Sequence, residues 1–262
     1  MKHALYKYHF SVNFSKEIFS HFFLLRCTPP HTHFQHVIKT ECLLLPGENG
    51  RRLFLSSDCF GNIVQSGCIL AAHDYLSIDT SGEINIDDTY IIPEDKPQHI
   101  FLYATELSAP GDEIVYLLKE ACIPDNADIH KTAALLCEVA HKALLYMSGT
   151  TDTETDAETA LKNGKGVCQD FAHILLALLR KKNILARYVA GFVAGEGYTH
   201  AWVEYHDDKC WRALDPTHNK SIETGYIKLS HGRDFRDCSI ERGVFSGLAE
   251  QTMEIKAQVY MS

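Results

Sequence analysis

The run Gly164-Lys165-Gly166-Val167-Cys168 closes a polar stretch and opens an apolar periodicity, and this junction constrains the fold more than any other part of the chain. From Cys168 the apolar residues Phe171, Ala172, Leu175, Leu176 and Leu179 follow at i+3, i+4, i+7, i+8 and i+11, which is one face of a helix. The glycines permit a tight turn and leave room for a substrate backbone. Cys168 is therefore expected at a helix start, where unpaired N–H groups and the helix dipole favour an anion. A thiol so placed can have its pKa lowered from roughly 8.5 to about 3.5–7.5. The same N–H groups can hold the oxyanion of a tetrahedral intermediate. The bland alternative is a cysteine that fills core on an apolar face. Arg180-Lys181-Lys182 is expected in the last turn, where cations suit the dipole.

The segments on either side read as strands. Tyr6, Tyr8, Phe10, Val12 and Phe14 alternate with polar residues, the period of a strand with one wet face. Further strand-like runs span 34–45, 53–55, 63–71 and 75–78, with turns expected at Pro46-Gly47-Glu48-Asn49-Gly50, Gly61-Asn62 and Ser81-Gly82. Near Pro110-Gly111 the character changes. Residues 112–121 and 128–147 read as helices, and Ser148 to Glu158 as an exposed acidic loop or the entry to the next helix. Strands are expected again at 187–192, 199–205, 210–214 and 253–261. The resulting expectation is an α+β chain: a β-sandwich-like N-terminal domain over 1–107, then a second domain over 108–262.

The 262 residues carry a formal net charge of -9, which disfavours nucleic acid and anionic lipid as partners. No run of about 18 apolar residues suggests a membrane helix, and the first residues lack the apolar core of a secretory signal. The nine cysteines are odd in number and contain no C-x-x-C pair. A cytoplasmic protein with reduced thiols is the expectation. The 15 histidines, including the group His31, His33 and His36, form no metal-ligand pattern, and no metal is expected.

Downstream of Cys168, two strand-like segments flank Asp207-Asp208. If these two residues form a hairpin loop, Glu204 faces Trp211, Trp202 faces Ala213 and His200 faces Asp215. A carboxylate opposite an imidazole can accept its N–H and set its tautomer. A three-residue loop would shift this pairing by one through a bulge. The plainer alternative is that His200 is a satisfied core histidine and Asp215-Pro216 a strand-ending turn.

Together, Gly164-Lys165-Gly166-Val167-Cys168-Gln169-Asp170-Phe171-Ala172, Ala186-Arg187-Tyr188-Val189-Ala190-Gly191-Phe192, His200-Ala201-Trp202-Val203-Glu204 and Leu214-Asp215-Pro216-Thr217 resemble the transglutaminase-like superfamily, in particular its bacterial cysteine-protease-like members. Asp58-Cys59-Phe60-Gly61-Asn62 resembles the D-x-[FWY]-G-N turn of the β-domain found in those proteins. The resemblance implies a papain-like core, with a cysteine at a helix N-terminus packed on an antiparallel sheet. It implies Cys168 as nucleophile, His200 as base and later acid, and Asp215 as the orienting group, with no metal or other cofactor. The family's Ile-Pro-Ala-Arg is here Ile184-Leu185-Ala186-Arg187, a change in loop stiffness rather than chemistry.

The expected activity is hydrolysis of a peptide or side-chain amide through a thioester acyl-enzyme, acting on a peptide or protein substrate. Transfer of the acyl group to an amine is one alternative. A non-catalytic binding module and a redox-sensing thiol are others. Gln169, Tyr198 and Trp202 are candidate substrate contacts, although tryptophans such as Trp202 and Trp211 are more often core. Asp170 is read as support for the first helical turn. The second oxyanion donor has no candidate.

Overall fold

The computed structural model describes residues 1–46, 51–94, 97–124, 127–195 and 197–262. The turn expected at Pro46 to Gly50 falls, apart from Pro46, outside them. Five strands come first: β1 (Lys2–Leu25), β2 (Gln35–Leu45), β3 (Arg51–Ser57), β4 (Ile63–Ile69) and β5 (His73–Ile86). A short β6 (Ile92–Pro93) leads into α1 (Asp112–Glu120), α2 (Ile129–Ala143), β7 (Leu145–Tyr146), α3 (Ala157–Asn163), β8 (Lys165–Gly166) and α4 (Cys168–Lys181). The strands β9 (Ala186–Val193), β10 (Thr199–His206), β11 (Cys210–Asp215), β12 (Lys220–Ser221) and β13 (Tyr226–Gly232) follow. A short α5 (Phe235–Cys238), β14 (Glu241–Ser246) and β15 (Gln251–Met261) end the chain. Among the described residues no helix is long and apolar enough to cross a membrane.

β1 organises the first sheet. Its first half lies between β5 and β15, its second half between β4 and β14. Even-numbered residues from Ala4 to Ile18, Lys16 excepted, are buried, but beyond Ser20 the buried residues are His21, Phe23 and Leu25. The change of parity marks a bulge: the pairing with β14 slips between Phe19 and Phe22, around Ser20, whose φ is 51°. One extra residue turns every later side chain to the opposite face and bends the strand. A single strand thereby serves two parts of a curled antiparallel sheet.

The second sheet is antiparallel, in the order β12-β11-β10-β9-β13, with β6 on β11. Every residue of β9 and all but the first of β10 are buried, so both faces of the central strands are covered. α4 packs against them, and Phe192 of β9 stacks on Tyr6 and Tyr8 of β1. The first sheet thus draws strands from both sides of the expected division at 107/108, because β14 and β15 return to β1.

Two expected features differ. Ser81-Gly82 is not a turn but the middle of β5. A Cβ on Gly82 would lie 2.2 Å from the Lys39 carbonyl oxygen and 2.7 Å from the Tyr6 ring, so this glycine serves close packing inside the sheet. α4 also lacks a wet face: all residues from Gln169 to Arg180 are buried. Arg180 does not reach solvent at the helix end. It donates to the carbonyls of Phe101, Ala186 and Arg233 and to the Ser108 hydroxyl, tying the helix to four segments.

The turn at Asp58 to Asn62 docks the two sheets together. Asp58 Oδ1 accepts from the N–H groups of Phe60 and Asn62, and Gly61 takes the left-handed φ of 83° that the turn requires. The buried Asn62 amide donates to the His231 carbonyl at 2.8 Å and accepts from its N–H at 2.8 Å.

Candidate active site

Cys168 is the first residue of α4 and is partly exposed. The turn before it is shaped by Asp170. The Asp170 carboxylate folds back to accept the Val167 N–H and the Thr151 hydroxyl, both at 2.7 Å. A Cβ on Gly166 would lie 2.6 Å from Asp170 Oδ2. The glycine therefore makes room for this carboxylate rather than for a substrate. The first N–H groups of the helix, Cys168 and Gln169 among them, lie beyond reach of any carbonyl of their own helix.

His200 stands near the start of β10 and Asp215 ends β11, both buried. The hairpin between them turns one residue later than expected, at Asp208-Lys209. The Asp207 N–H donates to the Cys210 carbonyl at 3.0 Å, and Asp208 adopts φ 71°. The Asp207 carboxylate holds this position by accepting from the N–H groups of Lys209 and Cys210. The observed pairs are His206 with Trp211 and Glu204 with Ala213. This register differs from the expected one by two residues. A shift of two preserves the face, so His200 and Asp215 become diagonal neighbours within side-chain reach. His200 Nε2 lies 2.8 Å from Asp215 Oδ2.

Cys168 completes the group. The Asp215 bond occupies Nε2 of His200, which leaves Nδ1 for the thiol. Burial works to lower the imidazole pKa, but hydrogen bonds to Asp215 and Cys168 outweigh it and raise the group to about 10. Burial alone would raise Asp215; hydrogen bonds from His200 and His218, the His200 charge and the Tyr226 hydroxyl hold it far below the usual carboxylate range. Asp215 is clamped on both oxygens. Oδ1 accepts from the N–H groups of Thr217 and His218, while Oδ2 meets His200, His218 Nδ1 at 2.7 Å and the Tyr226 hydroxyl.

His218 and Tyr226 are the residues that sequence reasoning missed as partners of Asp215. His218 follows Asp215 by three residues, so a turn after the strand was the only signal available for it. Tyr226 arrives on a strand absent from the sequence expectation. Ligand atoms of His200, Asp215 and His218 lie within 4.8 Å of one another, the one metal-spaced group among the described residues. Both nitrogens face the same Asp215 oxygen.

The three candidate substrate contacts separate. Trp202 is fully buried, with its ring stacked near His200 at 6.4 Å between centroids and crossing Tyr226 edge-on at 5.3 Å. It has no surface to offer a substrate and backs the imidazole instead. Gln169 lines the cavity beside Cys168, with its amide nitrogen 3.4 Å from the Asp152 carbonyl. Tyr198 is exposed and is not among the cavity residues. Trp211 is also core, under the Arg187 guanidinium at 4.0 Å.

Beneath β10 lies a buried charged cluster. Glu204 receives Arg187, Tyr90 and the Lys228 ammonium, the last at 2.7 and 2.9 Å to its two oxygens. Burial would raise the Glu204 carboxyl, but Arg187 and Lys228 hold it down at about 2. Arg187 and Glu204 are thus supports of the sheet that presents His200.

The cavity beside Cys168 measures about 400 Å³ and is lined on one side by Cys168, Gln169, His200 and Tyr188 and on the other by the first sheet. The arrangement as a whole offers a thiol at a helix start, an imidazole held by a carboxylate, free helical N–H groups and an adjoining apolar cavity. These are the parts that thiol-mediated acyl chemistry needs.

Residues 119–216 match the transglutaminase-like superfamily, and residues 6–85 match the bacterial transglutaminase-like N-terminal region. An uncharacterised protein of Mycobacterium leprae is 27% identical over 262 residues, covering 89% of this chain and 90% of that one. An uncharacterised protein of Mycobacterium tuberculosis is 28% identical over 170 residues, covering 58% of this chain and 54% of that one. The crystal structure of a "Putative Cysteine Protease from Cytophaga hutchinsonii" superposes with a TM-score of 0.70 at 20% identity, over 98% of this chain and 91% of that one. At that identity the likeness is one of fold.

Proposed function

We propose that this chain, a transglutaminase-like core behind a bacterial transglutaminase-like N-terminal region, is a cysteine hydrolase that cleaves amide bonds through a thioester acyl-enzyme. The observation that carries the reading is His200 set between Cys168 and Asp215, with Nε2 on the carboxylate at 2.8 Å. His200 holds the proton taken from the thiol, and Cys168 Sγ attacks the amide carbonyl. The resulting oxyanion lies against the Cys168 N–H. His200 then protonates the leaving amine as the C–N bond breaks. Water enters, gives its proton to His200 and attacks the thioester. The free acid leaves and the thiol is restored. A reducing compartment goes with this reading, because the Cys168 thiol must stay reduced to act as the nucleophile.

Iodoacetamide labelling read by mass spectrometry tests the pair. At neutral pH, Cys168 should react faster than the other eight cysteines, and His200→Ala should remove that advantage. Equal reactivity in both proteins would sink the proposal. A glutamine peptide offered with a labelled amine separates hydrolysis from transfer. Released acid is the expected product, and labelled peptide would assign transfer instead.

A further inference from the structure

The cavity beside Cys168 is bounded by both halves of the molecule. Its far wall is the apolar face of the first sheet, where Phe10 and Phe14 of β1, Phe245 of β14 and Ile255 of β15 meet. Set into this wall is Glu241. Alternation along β14 places Glu241, Gly243 and Phe245 on one face, and all three line the cavity. A Cβ at Gly243 would lie 2.8 Å from His21 Nε2, so the imidazole of His21 lies over this glycine.

Glu241 is out of place among these residues. Its Oε1 is shielded from solvent and has no hydrogen-bond partner. Among the described residues it forms no ion pair. Its neighbour Arg242 directs its guanidinium to the Arg236 carbonyl at 3.4 Å. Burial pushes the Glu241 carboxyl up to about 8, opposed only by its own backbone N–H and by no nearby charge. His21 supplies no cation, because burial and then the neighbouring His73 push it down to about 4. A buried polar atom left without a partner calls for an explanation, and one explanation is a missing ligand.

We propose that the cavity receives an extended side chain of the acyl-donor substrate, its apolar stem lying along the first-sheet wall and its terminal ammonium pairing with Glu241. The proposal rests on the thiol chemistry assigned to Cys168 and gives the N-terminal sheet the task of choosing the substrate. A purely apolar chain would leave the acid unsatisfied. A carboxylate tip would bring a second acid into the site with one proton to share and no cation to balance its charge. An ammonium matches both the wall and the acid, and its arrival makes Glu241 give up its proton at neutral pH. The other ionisable groups around the cavity are His21, Cys168, Tyr188, His200 and Arg242.

Titration calorimetry of the wild-type chain with n-hexylamine and with n-hexanol tests this. Neither probe carries an acyl group, so the result is independent of whether Cys168 cleaves amides. The expected result is binding of the amine at least about tenfold tighter than the alcohol, as a charge-assisted hydrogen bond provides. One proton should be released on binding, seen as a heat that varies with the ionisation enthalpy of the buffer. Glu241→Gln should bring the two probes level and abolish the proton release. Equal binding, tighter binding of the alcohol, no binding of either probe, or an amine preference that survives Glu241→Gln would each overturn the proposal. The labelling experiment on Cys168 would stand unaffected by any of these outcomes.

Discussion

Asp215 holds more partners than an orienting carboxylate needs, and this decides how its neighbours should respond to mutation. With His200, His218 and Tyr226 all on Oδ2, the anion is secured from three directions. Asp215→Asn keeps the shape but removes the charge and permits the wrong His200 tautomer. Amide hydrolysis should fall about 10³- to 10⁴-fold. His218→Ala removes one hydrogen bond of several and should cost only about 2- to 10-fold in kcat/KM. Equal losses in the two variants would show that His218 does more than hold Asp215. pH should act on stability through the same pair. The His200 pKa is raised from about 6.5 unfolded to about 10 folded, so its contribution is complete below the lower value and is lost as pH rises through the upper one. Asp215 is depressed, so its contribution is present above the ordinary carboxylate range and is lost in acid. The Tm of the wild type should therefore decline from near-neutral pH toward about pH 10, and His200→Gln should flatten that decline.

Elements explain why some motif residues are not chemical. The segment from His200 to Glu204 reads as a site motif, yet Trp202 backs the imidazole and Glu204 anchors Arg187 and Lys228 in the core. Glu204→Gln would leave two buried cations with a neutral partner. It should destabilise the chain by about 3–5 kcal/mol, read as a lowered urea midpoint with little change in m-value. The register of the β10–β11 hairpin makes a related point. Asp207 caps the turn with its carboxylate and moves the loop by one residue, yet the pairs shift by two and the face is preserved. The expected contact between His200 and Asp215 therefore formed through a different pairing. Helix α4 was legible in its start and length but not in its surroundings. The apolar periodicity marks the face nearest the core, whereas His173 and Arg180 are buried by contacts from distant segments.

At the scale of the whole molecule, the chain is closed on itself. β15 lies along the first half of β1 through eleven paired positions from Ala4 to Phe14, and β14 along its second half. Cutting between 107 and 108 would leave β1 without two neighbours and strip β14 and β15 of their sheet. A fragment spanning 108–262 should show no cooperative thermal transition alone. Mixing it with a 1–107 fragment should restore one. Cooperative unfolding of the isolated 108–262 fragment would show that the returning strands are dispensable.

The sequence by itself determined the local features: the helix that begins at Cys168, the alternation of β1, the left-handed turn at Gly61, and the ordered blocks that marked Cys168, His200 and Asp215. Periodicity, turn chemistry and spacing are local properties, so a linear reading can recover them. Only the tertiary structure decided which strand lies beside which, that Gly82 and Gly166 serve packing, that Trp202 is core, and that Glu241 faces the cavity beside Cys168. Each of these depends on contacts between residues far apart in the chain, and burial by a distant partner leaves no periodic trace in the segment that becomes buried.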